Sequence, residues 1–237
     1  MDRWATFDCY GTLIDWNAGI RAELARVFDI DETVVDAREA DSESDEPSGP
    51  SAAEKELDAL LHRYHQLERE IETDGTQSYR AVTTETMRRL GAPESEAGGL
   101  ADSLPSWEPF PETVDALEEI RARGWKTAIL SNSDRDLIDA SIARLGVPFD
   151  ETVVAGEINS FKPAIRHWQE FRIRTLLPPH RQIHVAASLF HDIAPTHKLR
   201  IPNIWINRLD EPAGPSPTIE LADLTTVADA LDSLIPA

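Results

Sequence analysis

The second half of the chain alternates short apolar runs with stretches of helical periodicity, and this alternation limits the available folds more than any other feature. One run suited to a buried strand lies at residues 4–7, and others follow at 125–130, 151–156, 183–188 and 203–207. Stretches with apolar residues at helical spacing separate them, at 112–122, 134–145, 163–174 and 191–199. Strands and helices that alternate in this way predict an α/β fold built on a doubly wound parallel sheet.

Residues 16–104 break the alternation, because they show helical periodicity and no convincing strand. The helical stretches lie at 17–28, 53–72, 78–91 and 94–103. We therefore predict an α/β core formed by residues 1–15 and 105–237, interrupted by an all-helical cap over the carboxyl edge of the sheet. Within this cap, the acidic stretch at about 38–54 is rich in serine and proline and lacks aromatic residues, so it is expected to be a mobile loop.

Charge and composition argue against several kinds of partner. The formal net charge is −20, and only four of the 23 basic residues are lysines, so nucleic acid is not an expected partner. An acidic, lysine-poor surface is typical of proteins from salt-loving organisms, where salt screens the self-repulsion. No apolar run reaches the length of a membrane span, the first residues do not resemble a signal peptide, and Cys9 is the only cysteine. We therefore expect a cytoplasmic protein that does not bind membranes.

Polar side chains stand at the ends of four predicted strands. They are Asp8 in the first case, Ser131 and Asn132 in the second, Lys162 in the third, and Ser188 and Asp192 in the fourth. Because the carboxyl ends of parallel strands meet at one edge of a sheet, these groups should converge there. Carboxylates, a lysine and hydroxyls around one pocket predict an active site.

Each of these residues also has a purely structural interpretation. Asp8 and Asp192 could cap the helices that follow them, and the hydroxyls of Ser131 and Thr12 could satisfy main-chain groups at turns. Lys162 could be a solvated loop residue, although the chain has only four lysines. The sequence pattern alone leaves these alternatives open.

Four short motifs in a fixed order resemble those of the haloacid dehalogenase superfamily. Asp8 in "DCYGTL" matches the nucleophile of that family, Ser131 its second motif, Lys162 the lysine of "FKP", and Asp192 the closing acidic residue. The resemblance implies a hydrolytic enzyme with a Rossmann-like core and an aspartate nucleophile.

Two positions distinguish the branches of this superfamily. Most members are magnesium-dependent phosphatases with a second aspartate two residues after the nucleophile, where this chain has Tyr10. A phenol with an ordinary pKa near ~10 is a poor proton donor at neutral pH. Phosphatases also commonly carry an aspartate five residues before the closing acid, where this chain has Ala187. Fewer carboxylates make a weaker site for a hard cation. Both departures go against metal-dependent phosphoryl transfer and resemble the L-2-haloacid dehalogenases, which use no metal.

The resemblance to this branch assigns a role to each residue. Asp8 is the nucleophile and Lys162 keeps it ionised, with Thr12 in the same catalytic group. By the same resemblance, Ser131 and Asn132 bind the substrate carboxylate. Ser188 and Asp192 position the hydrolytic water, and Tyr10 lines the pocket.

The dehalogenases also use an arginine of the cap to hold the departing halide. Arg63, in "HRYHQLERE", stands at the matching place, and Arg80, in "SYRAV", is the rival candidate. Either arginine could equally be a solvated surface residue. Leu189 and His191 depart from the dehalogenase pattern, which has asparagine and tryptophan there, and His191 is either a water-activating base or a surface residue.

The predicted function is hydrolytic dehalogenation of a small 2-haloacid through an aspartyl ester, with no cofactor. Two alternatives remain at this stage, a Mg²⁺-dependent phosphatase acting on a small phosphorylated metabolite and a catalytically silent binding protein. The expected partner is a small carboxylate substrate, and the family resemblance also suggests a homodimer.

Overall fold

The computed structural model describes residues 2–31, 50–72, 77–212, 214 and 216–237. Its strands are β1 (Arg3–Phe7), β2 (Trp125–Ser131), β3 (Glu151–Val154), β4 (Gln182–Ala186), β5 (Asn203–Ile206) and β6 (Ile219–Leu221). They form one sheet in the order β3-β2-β1-β4-β5-β6, in which every neighbouring pair is parallel. The predicted α/β fold with a doubly wound parallel sheet is therefore confirmed.

Helices connect the strands. They are α1 (Trp16–Phe28), α2 (Ala52–Glu72), α3 (Tyr79–Leu90), α4 (Gly99–Ser103), α5 (Thr113–Ala122), α6 (Arg135–Leu145), α7 (Ala155–Ile158), α8 (Arg166–Thr175), α9 (Ala194–Leu199) and α10 (Val227–Leu234). A π-helical turn, Leu189–Ile193, leads into α9. The end of α6 shows how sequence sets a boundary, because Gly146 adopts φ 69° and its N–H donates to the carbonyl of Ile142.

Some elements differ from the sequence prediction in their length or presence. Strand β6 was not predicted, because "IEL" is a short, half-buried edge strand with too few residues to show a pattern. The third strand ends at Val154, and residues 155–158 turn into α7 where the prediction extended the strand to 156. Helix α4 covers only Gly99–Ser103 of the predicted stretch 94–103.

The middle of the sheet is buried on both faces, as expected for a parallel sheet covered by helices. All five residues of β1 are buried, and Trp4 meets Phe171 of α8 edge to face at 5.2 Å between ring centroids. Burying one such aromatic side chain contributes roughly 1.5–3 kcal/mol. Because β1 lies between β2 and β4, residue 8 comes next to the ends of both neighbours.

The chain divides into two compact units. The first comprises residues 1–16, 75–79 and 104–237 and contains the whole sheet. The second comprises residues 17–74 and 80–103, and its described residues contain helices and no strand. That this second unit acts as a cap stays a prediction. Of the predicted mobile loop at about 38–54, residues 38–49 lie outside the described part of the chain.

The second unit has its own buried polar network. Helix α2 buries one stripe that includes Leu57, Tyr64 and Ile71, and the Tyr64 hydroxyl donates to the buried carboxylate of Glu68 at 3.1 Å. Spacing of this kind is that of an amphipathic helix. None of the helices in the described ranges is both long and apolar enough to cross a membrane.

Candidate active site

A tight turn after β1 presents Asp8 at the carboxyl edge of the sheet. The N–H of Leu13 donates to the carbonyl of Cys9 at 2.8 Å, and the N–H of Gly11 donates to the carbonyl of Ile14 at 2.8 Å. Gly11 has φ 84°, and a Cβ at this position would lie 2.9 Å from Nε1 of Trp16. Both the backbone conformation and the indole therefore require glycine in this turn.

We expect Gly11→Ala to destabilise the protein by about 2 kcal/mol or more, because the left-handed conformation costs ~1–2 kcal/mol and the indole clash adds to it. Gly124→Ala is the matched control, since Gly124 has φ 82° and no atom lies within 4 Å of its added Cβ. Urea unfolding of both variants measures the difference. Equal destabilisation of the two would show that the Trp16 contact is unimportant.

Thr12 connects the nucleophile candidate to the end of β4. Its Oγ1 accepts a hydrogen bond from the N–H of Ala187 at 3.0 Å and donates to Oδ2 of Asp8 at 3.3 Å. The accepted bond directs the hydroxyl hydrogen towards the carboxylate. The alternative in which Thr12 only satisfies main-chain groups is therefore incomplete, because the same hydroxyl contacts Asp8.

Lys162 lies at the centre of the site and is buried, with 1% of its side chain exposed. Its Nζ donates to Oδ1 of Asp8 at 2.7 Å, to Oδ1 of Asp192 at 2.7 Å and to the carbonyl of Leu130 at 2.9 Å. An ammonium group has three hydrogens, so this geometry uses all of them. The alternative of a solvated loop lysine is thereby ruled out.

The three charged groups shift one another's ionisation. Burial raises the pKa of Asp8 and Asp192 adds to this effect, while the nearby Lys162 ammonium opposes it. Burial also disfavours the charged form of Asp192, but Lys162 and a hydrogen bond from His184 outweigh it and hold the Asp192 pKa below its ordinary value. Burial alone would lower the Lys162 pKa, but the two carboxylates raise it. The cluster therefore keeps a charged lysine between two carboxylates of unequal basicity.

Asn132 makes contacts other than those expected from the sequence. Its Oδ1 accepts from the N–H of Lys162 at 2.5 Å, and its Nδ2 donates to the carbonyl of Lys162 at 3.1 Å. This pair of bonds fixes the main chain that carries the lysine. The neighbouring Ser131 is buried, and its carbonyl accepts from Nε2 of His167 at 3.0 Å. Burial lowers the pKa of His167 to about 3, so this imidazole is neutral.

The hydroxyl of Tyr10 contacts helix α6. The hydroxyl lies 3.0 Å from Oγ of Ser141 and 3.4 Å from the carbonyl of Leu137, both on α6. The ring stacks on Tyr79 at 6.4 Å and meets Trp107 edge on at 5.9 Å. Burial raises the Tyr10 pKa well above its ordinary value, which makes the phenol an even weaker proton donor.

The end of β4 supplies Ser188 and Asp192. Ser188 caps the π-helical turn, since its Oγ accepts from the N–H of His191 at 3.1 Å and lies 3.1 Å from Nδ1 of the same residue. Asp192 is fully buried. His184, which the sequence reasoning did not single out, lies with Nε2 2.9 Å from Oδ1 of Asp192. A histidine inside the apolar run "IHVAAS" was the available signal for it.

The two candidate halide arginines belong to the second unit. Arg63 is exposed on α2, and its Nη1 donates to Oε1 of Gln66 at 3.2 Å. Arg80 forms an ion pair with Asp102 at 3.4 Å. Their roles towards a substrate stay predictions, as do those of Leu189 and His191.

The donor set of the site is poor in carboxylates. Asp8 and Asp192 share one ammonium, while Tyr10 and Ala187 add no oxygen of the kind that Mg²⁺ prefers. Within the described part of the chain, no cluster of three or more His, Cys, Asp or Glu side chains has the arrangement of a metal site. The groups brought together are the carboxylate of Asp8, a fixed cation and a second, ionised carboxylate.

The chain is similar to proteins of known activity. The model of the haloacid dehalogenase-like hydrolase family matches residues 3–186. The (S)-2-haloacid dehalogenase of Pseudomonas sp. (strain YL) is 30% identical over 139 residues, which cover 56% of this chain and only 60% of that protein. An (S)-2-haloacid dehalogenase of Pseudomonas putida is 26% identical over 183 residues, which cover 74% of this chain and 77% of that protein.

A phosphatase and a solved structure complete the comparison. Glyceraldehyde 3-phosphate phosphatase of Methanothermobacter thermautotrophicus is 31% identical over 87 residues, or 36% of this chain and 38% of that protein. The structure of L-2-haloacid dehalogenase from Xanthobacter autotrophicus superposes with a TM-score of 0.76 at 17% identity, covering 100% of both chains. Because the family model spans most of the chain, this protein belongs to the haloacid dehalogenase-like hydrolases and is an enzyme of that class.

Proposed function

We propose that this enzyme hydrolyses the carbon–halogen bond of a small 2-haloacid through an ester on Asp8. The proposal rests on the environment of Asp8. A lysine ammonium is hydrogen-bonded to the Asp8 carboxylate, and residue 10 is a tyrosine rather than a carboxylic acid. Oδ1 of Asp8 contacts the Lys162 ammonium at 2.7 Å, whereas the Tyr10 hydroxyl is bonded to α6. Halide is a leaving group that needs no proton, so this arrangement suits displacement of halide better than release of an alkoxide.

In the first step, a carboxylate oxygen of Asp8 attacks C2 of the substrate. The new bond joins this oxygen to C2, and the carbon–halogen bond breaks with its electron pair leaving on the halide. Lys162 favours the ionised form of Asp8 that this step requires, and Thr12 orients the carboxylate through its 3.3 Å bond to Oδ2. The product of the step is a neutral aspartyl ester.

In the second step, water adds to Cγ of Asp8. The bond between Cγ and the ester oxygen attached to C2 then breaks. One proton of the water passes through Asp192 to this oxygen, which releases a 2-hydroxy acid. The remaining proton leaves to solvent when the Asp8 carboxylate is restored. Asp192 has a lowered pKa, so it stays ionised as a hydrogen-bond acceptor and holds the transferred proton only briefly.

The other residues take supporting roles in this proposal. Asn132 orients Lys162 through the main chain, and its role as a ligand of the substrate carboxylate stays a prediction. Ser131 and the main-chain amides at the sheet edge bind the substrate carboxylate, and Tyr10 lines the pocket beside Tyr79. Ser188 acts with Asp192 in positioning water. Halide binding by Arg63 or Arg80 and a homodimer remain predictions from the resemblance, and a cap function for the second unit remains a prediction from the helical pattern.

A single turnover in ¹⁸O-labelled water with 2-chloropropionate, after exhaustive chelation of metals, tests the proposal. We expect halide release without metal, ordinary oxygen in the first product and label in Asp8, because water attacks Cγ rather than C2. Label in the first product would contradict the ester mechanism. Phosphate release that depends on Mg²⁺, without halide release from any 2-haloacid, would favour the phosphatase function instead.

A further inference from the structure

His184 is a buried histidine in the middle of β4 that none of the steps above uses. It is fully buried, and its two ring nitrogens both have partners. Nε2 lies 2.9 Å from Oδ1 of Asp192, and Nδ1 lies 3.0 Å from Oγ1 of Thr6 on the neighbouring strand β1. Because Asp192 is ionised, its oxygen can only accept, so Nε2 carries the hydrogen of this bond.

This bond settles which oxygen of Asp192 is engaged. Oδ1 accepts from both His184 and Lys162, at 2.9 and 2.7 Å. Oδ2 is buried and has no hydrogen-bond partner in the part of the chain that the structure describes. A buried carboxylate oxygen without a partner is costly, so it marks a place where a water or substrate atom donates.

The neighbouring residues cannot replace His184 in this role. Lys162 already uses its three hydrogens on Asp8, Asp192 and Leu130. Ala187 and Leu189, on the same segment as Asp192, have no polar side-chain atom. A single bond from Lys162 would leave the Asp192 carboxylate free to rotate about it, whereas two bonds from different directions hold its plane.

We propose that His184 is a positioning residue for the hydrolysis step, which holds Asp192 so that Oδ2 accepts a hydrogen bond from the water that attacks the Asp8 ester. This inference rests on the function proposed above. Its role is confined to the second step, because the attack of Asp8 on C2 does not involve Asp192 directly. Thr6 supports His184 from the other side of the ring.

The test measures the two steps separately, by rapid quench with 2-chloropropionate. Halide release reports ester formation, and 2-hydroxy acid release together with the mass of the enzyme reports ester hydrolysis. For His184→Leu we expect ester formation within about threefold of the parent, hydrolysis slower by about 10- to 100-fold, and accumulation of the ester. His184→Gln, which keeps a donor, should recover most of the hydrolysis rate and also serves if the leucine variant does not fold.

Thr127→Val is the matched control. Thr127 is a fully buried polar residue of β2 whose Oγ1 accepts from Nη1 of Arg121 at 3.0 Å, and neither residue belongs to the bonds that hold His184 and Asp192. In this control variant, the rates of ester formation and of ester hydrolysis should both match those of the parent enzyme. Equal slowing of both steps in His184→Leu, or unchanged hydrolysis, would overturn the role of His184 while the proposed function stands. No halide release by the parent enzyme would overturn the proposed function and this inference with it.

Discussion

Asp8→Asn should reduce turnover by on the order of 10⁴-fold or more while leaving the fold intact, which is the scale observed when an enzyme loses its nucleophile. A neutral amide has nearly the same volume as the carboxylate but is a far weaker nucleophile. The amide oxygen can still accept from Lys162, which lies 2.7 Å from Oδ1 in the parent. Steady-state halide release and thermal unfolding, measured on the same preparations, check both halves of this expectation.

Asp139→Asn is the control for this substitution. Asp139 lies on the exposed face of α6, with 60% of its side chain accessible and a long ion pair to Arg135 at 3.8 Å. The Asp139→Asn substitution removes the same charge outside the site, so the activity of this variant should match that of the parent enzyme. Substantial turnover by purified Asp8→Asn, after correction for conversion back to aspartate, would remove Asp8 from the role of nucleophile.

Lys162→Met should lower kcat/KM by on the order of 10²–10³-fold, the scale expected for losing one preorganised donor in a buried site. It should also shift the pH profile. Asp8 attacks only when ionised, so the rate falls as pH drops through its pKa, and burial already raises that pKa above the ordinary value of 3.8. Without the ammonium, the carboxylates raise each other's pKa further, so the acid limb should move to higher pH.

The stability of this variant should fall as well. Removing one partner of a buried ion pair leaves uncompensated charge, which costs about 3–5 kcal/mol where the remaining carboxylate stays ionised. Lys126→Met is the control, because Lys126 makes an exposed ion pair with Asp2 at 2.9 Å and such pairs contribute ~1 kcal/mol or less. An acid limb at the same pH in Lys162→Met and in the parent would show that Lys162 does not control the ionisation of Asp8.

Much of the fold could be predicted from the sequence because it depends on local periodicity. Runs such as 125–130 and 183–188 have the apolar pattern of buried strands, and the helical stretches between them leave a parallel sheet as the simple arrangement. The meeting of Asp8, Lys162 and Asp192 follows from the same topology, since parallel strands bring their carboxyl ends together. Strand β6, with three residues, was too short for periodicity to identify it.

What the sequence could not determine is which atoms bond to which. The sequence did not indicate that the amide of Asn132 is bonded to the main chain of Lys162. The contact of His184 with Asp192 joins a strand interior to a turn eight residues later in the chain. Such contacts depend on strand register, the direction of each side chain and the competition between acceptors for a fixed number of hydrogens. The sequence by itself therefore determined the fold class and the residues at the sheet edge. Only the tertiary structure decided how hydrogen bonds connect these residues, because hydrogen bonding depends on distances of a few ångströms between different segments of the chain.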